Sequence, residues 1–281
     1  MKEKKLFEFE HEAMNSNLFI KIYHEDERYA RSAALDCFAR LDYIESLLSI
    51  HITDSEADII NNMPVGVVFK LASETADCIV QACNAAAITD GAVDVCMGDY
   101  FLKNKKTPGF GLIENPSRLE LEVDYENLLV RKNTAGRLDF GAVGKGFGVD
   151  EMALLLKDPW EIENAFLGFT STVYALGCNA DKKWSVDLGD GFFVDIEPDT
   201  AAACSGTAVQ GAHICDGRTG KAVENPPFRV WAFAASAAES DAMSTAFSIL
   251  PRGRIEQICR DYGLRAAVQS TPDSKIEWIW K

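Results

Sequence analysis

The amino-acid sequence predicts an α+β fold of mixed or antiparallel sheets with packed helices, and three observations carry that expectation. Helical apolar stripes are grouped between strand-like runs rather than alternating with them one for one, as a doubly wound parallel sheet would require. RLELEV (118–123) and NLLVRK (127–132) flank the turn-forming Asp124-Tyr125-Glu126 and read as a hairpin. Beyond residue 160 the chain offers a series of short strand-like runs.

Taken in order, LFIKIY (18–23) alternates like a strand. From Asp26 the register changes to Leu35, Phe38, Leu41, Ile44, Leu47 and Leu48, a helical stripe ending near Ser49. SEAD (55–58) resembles a capping box with Asp in place of Glu, and an Ala-rich helix spans 73–88 until Thr89-Asp90-Gly91 stops it. ITDGAVDVCMGDY (88–100) places Asp94 and Asp99 in a loop, and KNKKTPGFGLIENP (103–116) is the most loop-like segment. The 118–132 hairpin leads into a strand ending at Phe140. A helix over 148–157, with Met152, Leu155 and Leu156 on one face, is closed by Pro159. Strand-like runs follow at 164–169, 172–176, 184–188, 192–196 and 228–234, then helices over 240–250 and 253–262 and strands near 264–269 and 276–280.

At 281 residues, with 47% hydrophobic and 25% charged side chains, the chain can bury a sizeable core in one large domain or two intimately packed lobes. A net charge of −15 repels nucleic acid and anionic membrane surfaces, so any bound phosphate must be held by local groups or a bridging cation. Eight cysteines, at 37, 78, 83, 96, 178, 204, 215 and 259, contain no C-x-x-C pair and read as reduced core residues. Neither a secretory leader in 1–30 nor a run of roughly 18 apolar residues is evident, so a cytoplasmic protein is expected.

LDFGAVGKGFGVDEMALLLK (138–157) packs four glycines around Lys145. Such a turn lets backbone N–H groups approach a ligand, and a following helix presents its positive end to an anion. Two phosphate templates nevertheless fail. Gly146 stands where a Walker loop needs Ser or Thr, and Val149 stands where the dinucleotide fingerprint needs its third glycine. On these residues alone, a connection with no ligand is an equal reading.

SDAMSTAFSIL (240–250) sets Asp241 and Thr245 four apart on one helical face. A carboxylate and a hydroxyl pointing the same way are hard oxygen ligands suited to Mg²⁺, which fills its octahedron with waters and substrate phosphate oxygens. The alternative is that Asp241 caps the helix and Thr245 faces solvent. GAHICDGRTGKAVEN (211–225) places His213, one of only four histidines, in a turn-prone segment expected to be exposed.

These stretches together resemble the ApbE family of FAD:protein FMN transferases. The pattern D-x-G-[GA]-x-x-K-G is present at 139–146, and T-D-G-A-x-D at 89–94. S-x-x-x-x-x-S-E-x-x-x-x-N runs from Ser49 through Ser55 and Glu56 to Asn61. S-G is Ser205-Gly206, H-I-x-D-x-R-T-G spans 213–220, and D-A-x-S-T-A spans 241–246. The resemblance covers nearly the whole chain from about Met14, in matching order.

It implies an ApbE-like, T-fold-related single catalytic unit over 1–281, with FAD across a cleft and Mg²⁺ on its pyrophosphate. FMN would pass to a Thr or Ser hydroxyl of a target flavoprotein, within D-G-x-[ST]-G-A-[ST], and AMP would leave. The implied Mg²⁺ ligands are Asp241, Thr245 and the backbone carbonyl of Ala142. The implied FAD contacts are Met14, Ala92, Val93, Asp94, Asp139, Lys145 and the segment around Cys215, with His51 where the family stacks a Tyr on FAD. Lys145 would offset charge developing on the pyrophosphate, and His213 is the candidate to take the acceptor proton.

Several positions depart from the pattern. M-G-T is Met14-Asn15-Ser16, D-x-T is Asp94-Val95-Cys96, and G-G-[DN] is Thr170-Ser171-Thr172, so bulkier groups narrow the space glycines leave. The proline of D-P-R-T-G is Gly217, which makes the start of an acceptor motif and raises self-modification at Thr219. Water in place of the acceptor hydroxyl would make the protein an FAD pyrophosphatase, and a divergent member that only binds FAD is the non-enzymatic alternative.

Overall fold

The computed structural model describes residues 3–105, 113–210 and 214–281. In chain order its elements begin with β1 (Lys5–Ala13), β2 (Ser16–His24), α1 (Glu27–Leu48), α2 (Glu56–Asn62), β3 (Val68–Lys70) and α3 (Ser73–Ile88). A 3₁₀ turn at Val95–Met97 leads into α4 (Gly98–Lys105), β4 (Leu121–Asp124), β5 (Leu129–Lys132), α5 (Gly144–Lys157), β6 (Ala165–Phe169) and β7 (Thr172–Leu176). There follow β8 (Trp184–Asp187), β9 (Phe193–Ile196), β10 (Thr200–Ser205), α6 (Thr207–Gln210), β11 (Cys215–Asp216) and β12 (Lys221–Ala222). The chain closes with β13 (Arg229–Ala234), α7 (Ala237–Phe247), α8 (Arg252–Tyr262), β14 (Arg265–Gln269) and β15 (Glu277–Trp280).

The main sheet runs β1-β2-β6-β7-β10-β13-β14-β15, with every neighbouring pair antiparallel. On one face, Leu18, Ile20 and Ile22 of β2 pack with Ala34, Phe38 and Leu41 of α1 and Val149, Met152 and Leu156 of α5. Further along, Val230, Ala232 and Ala234 of β13 pack with Met243, Ala246 and Phe247 of α7 and Ile258 of α8. The β8–β9 hairpin brings Trp184 and Ile196 to Phe166, Trp231 and Phe233. A third helix-side cluster joins the end of α1, α2, α3 and the small β3-β5-β4 sheet. The 138–149 segment enters all three helix-side clusters: Phe140, Val143 and Phe147 the third, Ala142 the α7 cluster, and Val149 the α1 cluster. The glycine-rich stretch is therefore where the cores meet.

Several expectations change. Met14 and Asn15, at φ 49° and 54°, form the two-residue β1–β2 turn, so Asn15 is a left-handed residue of the kind that can stand in for glycine. Strand β1 is not among the elements expected from the sequence. No strand ends at Phe140: the backbone there is held by the side chain of Asn61 and single main-chain bonds instead of a ladder. Asn61 Oδ1 accepts from Leu138 N at 2.6 Å and its Nδ2 donates to Leu138 O at 3.0 Å, while Asp139 N donates to Val95 O at 2.9 Å.

Helix α5 begins at Gly144, four residues earlier than expected, so Lys145 lies in its first turn. The expected loop at 103–116 is helical as far as Lys105, and Asp99 lies in the first turn of α4. Ser55 caps α2 by accepting from Asp58 N at 2.9 Å, but Asp58 Oδ2 accepts from Asp54 N rather than from the capping residue. All eight cysteines are free, yet only Cys37, Cys78, Cys215 and Cys259 are buried; Cys83 is exposed and the others are half-buried.

Candidate active site

Asp241 lies inside α7, which Ser236 caps by accepting from Glu239 N, so Asp241 is not the capping residue. Its carboxyl is 5% exposed, and each oxygen takes one donor. Oδ2 accepts from Gly146 N at 3.1 Å and Oδ1 from Thr172 Oγ1 at 3.1 Å. Burial pushes the carboxyl above the usual aspartate range, opposed by the Lys145 charge and by these two hydrogen bonds. In a regular helix the Gly146 amide would bond the Ala142 carbonyl four residues back; here it goes to the carboxylate.

One turn along α7, Thr245 Oγ1 lies 3.1 Å from Ser205 Oγ and donates to Asp241 O at 3.3 Å. Ser205 Oγ is also 2.8 Å from Ser244 Oγ. A carboxylate and hydroxyls thus meet where α5 and α7 cross at the ends of β7 and β10, and Ala142 packs against the α7 cluster nearby.

The crossing is close because residue 146 has no side chain: a Cβ there would lie 2.2 Å from Ala237 O. One turn further on, Asp150 Oδ1 accepts from Ala237 N at 2.6 Å and Oδ2 from Ala238 N at 2.9 Å. Burial pushes Asp150 up to about 6 despite these donors. Sequence reasoning does not single out Asp150, although its i, i+4 relation to Gly146 puts both on one face of α5.

A second group forms beside the first. Thr89 ends α3, donating through Oγ1 to Ala85 O at 2.8 Å, and Asp90 and Gly91 turn the chain at φ 53° and 78°. Ala92 and Val93 are then buried, and Asp94 accepts from Cys96 N at 2.9 Å. Arg118 Nη2 lies 2.7 Å from Asp94 Oδ2 without hydrogen-bond alignment. Gly217, two residues after the buried Cys215, donates to Ala92 O at 2.9 Å, and a Cβ on it would lie 2.4 Å from Gly91 O. A proline has no N–H to donate to Ala92 O and would carry a Cβ into Gly91 O, so glycine fits this position in this chain. Asp139 accepts from Gly141 N at 2.7 Å and so shapes the turn that carries Ala142.

Met14 reaches the start of α5, its Cε 3.4 Å from where a Gly148 Cβ would stand. With Glu12 and Glu45 it lines a cavity of about 370 Å³. His51 stands on the exposed turn between α1 and α2, its amide donating to Ser49 Oγ at 3.3 Å. His213 lies outside the described residues. A separate cavity of about 390 Å³, lined by Asn61, Asp99, Lys132 and Arg137, includes none of the site residues expected from the sequence.

The structure defines an α+β protein with an antiparallel main sheet, in which the crossing of α5 and α7 buries a carboxylate among hydroxyls and within the field of one lysine. The chain belongs to the ApbE family, whose pattern matches residues 14–268. A curated relative from Vibrio cholerae serotype O1, FAD:protein FMN transferase, is 25% identical over 246 residues, covering 76% of this chain and 72% of the relative. Among solved structures, the flavin transferase ApbE from Vibrio cholerae superposes with a TM-score of 0.81 at 19% identity, covering 98% of this chain and 96% of that one. The apo flavinyl transferase ApbE from Pseudomonas stutzeri gives 0.83 at 20% identity, with 95% and 93% covered. The ApbE protein from Thermotoga maritima gives 0.83 at 22%, with 98% and 97% covered. The α+β fold is that of these proteins.

Proposed function

We propose that this protein is a Mg²⁺-dependent flavin transferase that binds FAD and passes FMN to a Thr or Ser hydroxyl of a target flavoprotein, with residues 1–281 acting as one catalytic unit. Family membership and the curated relative support the transferase class. The observation that carries the reading is Asp241: a buried carboxylate facing Lys145, with the Thr245 hydroxyl one turn on.

The donor set fits Mg²⁺. Each Asp241 oxygen retains a lone-pair direction after accepting one bond, burial leaves its charge in need of a cation, and Thr245 and the Ala142 carbonyl add hard neutral oxygens. A bound Mg²⁺ would neutralise charge on the pyrophosphate of FAD. Lys145, in the first turn of α5, adds a cation beside an anion-favouring helix end. The 92–94 loop, braced by Gly217, and the Asp139 turn would hold the rest of the dinucleotide. His213 is assigned the acceptor proton: as the hydroxyl oxygen bonds to the phosphorus of the FMN half, the bond to the AMP oxygen breaks and AMP leaves.

No helix among the described residues is long and apolar enough to cross a membrane. Eight free thiols suit a reducing, cytoplasmic compartment. Incubation with FAD, Mg²⁺ and a D-G-x-[ST]-G-A-[ST] peptide should give AMP and peptide-bound FMN. AMP with free FMN would mark a pyrophosphatase, and intact bound FAD a binding protein.

A further inference from the structure

Thr172 falls where the family pattern has Asp or Asn after paired glycines, and in sequence it reads as an intrusion into the pocket. Its position in the fold differs from that reading. It is the first residue of β7, fully buried and paired with Ala203 of β10. A Cβ at Gly168, whose φ is 140°, would lie 2.2 Å from Thr172 O, so glycine there lets the β6–β7 turn close on it. The strand scaffold thus holds the Thr172 hydroxyl in place, and that hydroxyl donates to Asp241 Oδ1 at 3.1 Å.

The opposite oxygen is held by the Gly146 amide from a different element. Two donors on two rigid elements fix the plane of the carboxylate, because rotation about its Cβ–Cγ bond would break one or both. Each oxygen keeps one free direction, and those directions are set by the grip. We infer that Thr172 is a positioning residue: its hydroxyl orients Asp241 for the cation, and the departure from the family pattern is a working part of this site. The inference rests on the metal reading proposed above. It concerns the outer layer of hydrogen bonds that typically changes metal affinity 10–100-fold when removed.

The test uses Thr172→Val, which keeps the shape and removes the donor, and Thr172→Ser, which keeps the donor. Mn²⁺ alone is titrated into each protein and free ion followed by its EPR signal; in parallel, the Mg²⁺ concentration for half-maximal flavin transfer and the KM for FAD at saturating Mg²⁺ are measured. The expected result is about a 10-fold loss of Mn²⁺ affinity and a matching rise in the Mg²⁺ requirement for Thr172→Val, with KM for FAD unchanged and Thr172→Ser close to wild type. Unaltered metal readouts in Thr172→Val, or equal losses in both variants, would overturn the inference. Asp241→Ala separates the two levels. If it abolishes Mn²⁺ binding while Thr172→Val changes nothing, only the positioning role fails; if it leaves binding and activity intact, the metal reading fails and the inference with it.

Discussion

Gly146→Ala tests the crossing of α5 and α7. The new Cβ would stand 2.2 Å from Ala237 O, 2.5 Å from Ala237 C and 2.6 Å from Ala238 Cα, where ordinary contact begins near 3.4 Å. All three are backbone atoms, so no rotamer change relieves the clash and the helices must part by about 1 Å. Overpacking of this kind costs about 1–3 kcal/mol. Alanine keeps the residue 146 amide, but the same parting draws it out of reach of the Asp241 carboxylate, which adds about 1.5–3 kcal/mol, against about 1 kcal/mol gained from the helix propensity of alanine over glycine. A net destabilisation of about 1.5–5 kcal/mol follows, or a Tm lower by on the order of 3–10 °C, together with impaired flavin transfer. Gly253, inside α8, is the control: a Cβ added there would meet nothing within 4 Å, and its change to alanine should leave stability unchanged or raise it by up to about 1 kcal/mol. Urea and thermal unfolding of both variants provide the measurement. Wild-type stability and activity in Gly146→Ala would refute the close crossing and the amide grip on Asp241.

Asn61→Ala should cost about 2–4 kcal/mol in urea unfolding, since it strips partners from both the N–H and C=O of buried Leu138; Asn61→Asp, which keeps the acceptor, should cost less. Asp150 gives a pH signature. Its folded pKa near 6 lies above the unfolded value near 3.8, so between those pH values the folded state holds more protons and stability falls as pH rises. The shift is worth about 3 kcal/mol. The stability of wild type relative to Asp150→Asn should therefore decline from pH 4 to pH 6.5 and level off above; a flat difference would contradict the assignment. Gly217→Pro, which restores the family residue, removes the donor to Ala92 O and drives a Cβ toward Gly91 O, so the KM for FAD should rise about 10-fold.

Sequence periodicity locates most of the fold, and the reasons for its failures are physical. Strands β6, β7, β8, β9 and β13 carry enough alternation or apolar length to stand out, and Asp241 and Thr245 share a face by spacing alone. The start of α5 is hidden because Gly144, Gly146 and Gly148 each oppose a helix by propensity, and only contact with the α7 backbone reveals why residue 146 must be glycine. The 137–140 segment alternates like a strand, yet a side chain from α2 does the pairing that another strand would have done. At Thr172 the departure from pattern is visible, but its partner lies 69 residues away and no local rule connects them. The expected burial of all the cysteines fails at Cys83, which takes an outward position on α3 while its neighbour Ala82 faces inward.

We propose flavin transfer at a metal centre built on Asp241. Its most direct test is the intact mass of a D-G-x-[ST]-G-A-[ST] acceptor after incubation with FAD, Mg²⁺ and either wild-type protein or Asp241→Ala. Wild type should add the mass of FMN less one water and release an equal amount of AMP, with no adduct on its own Thr219, and Asp241→Ala should slow the reaction more than about 100-fold. AMP and free FMN beside an unmodified acceptor would contradict flavin transfer, and equal modification by Asp241→Ala would contradict a metal centre on Asp241.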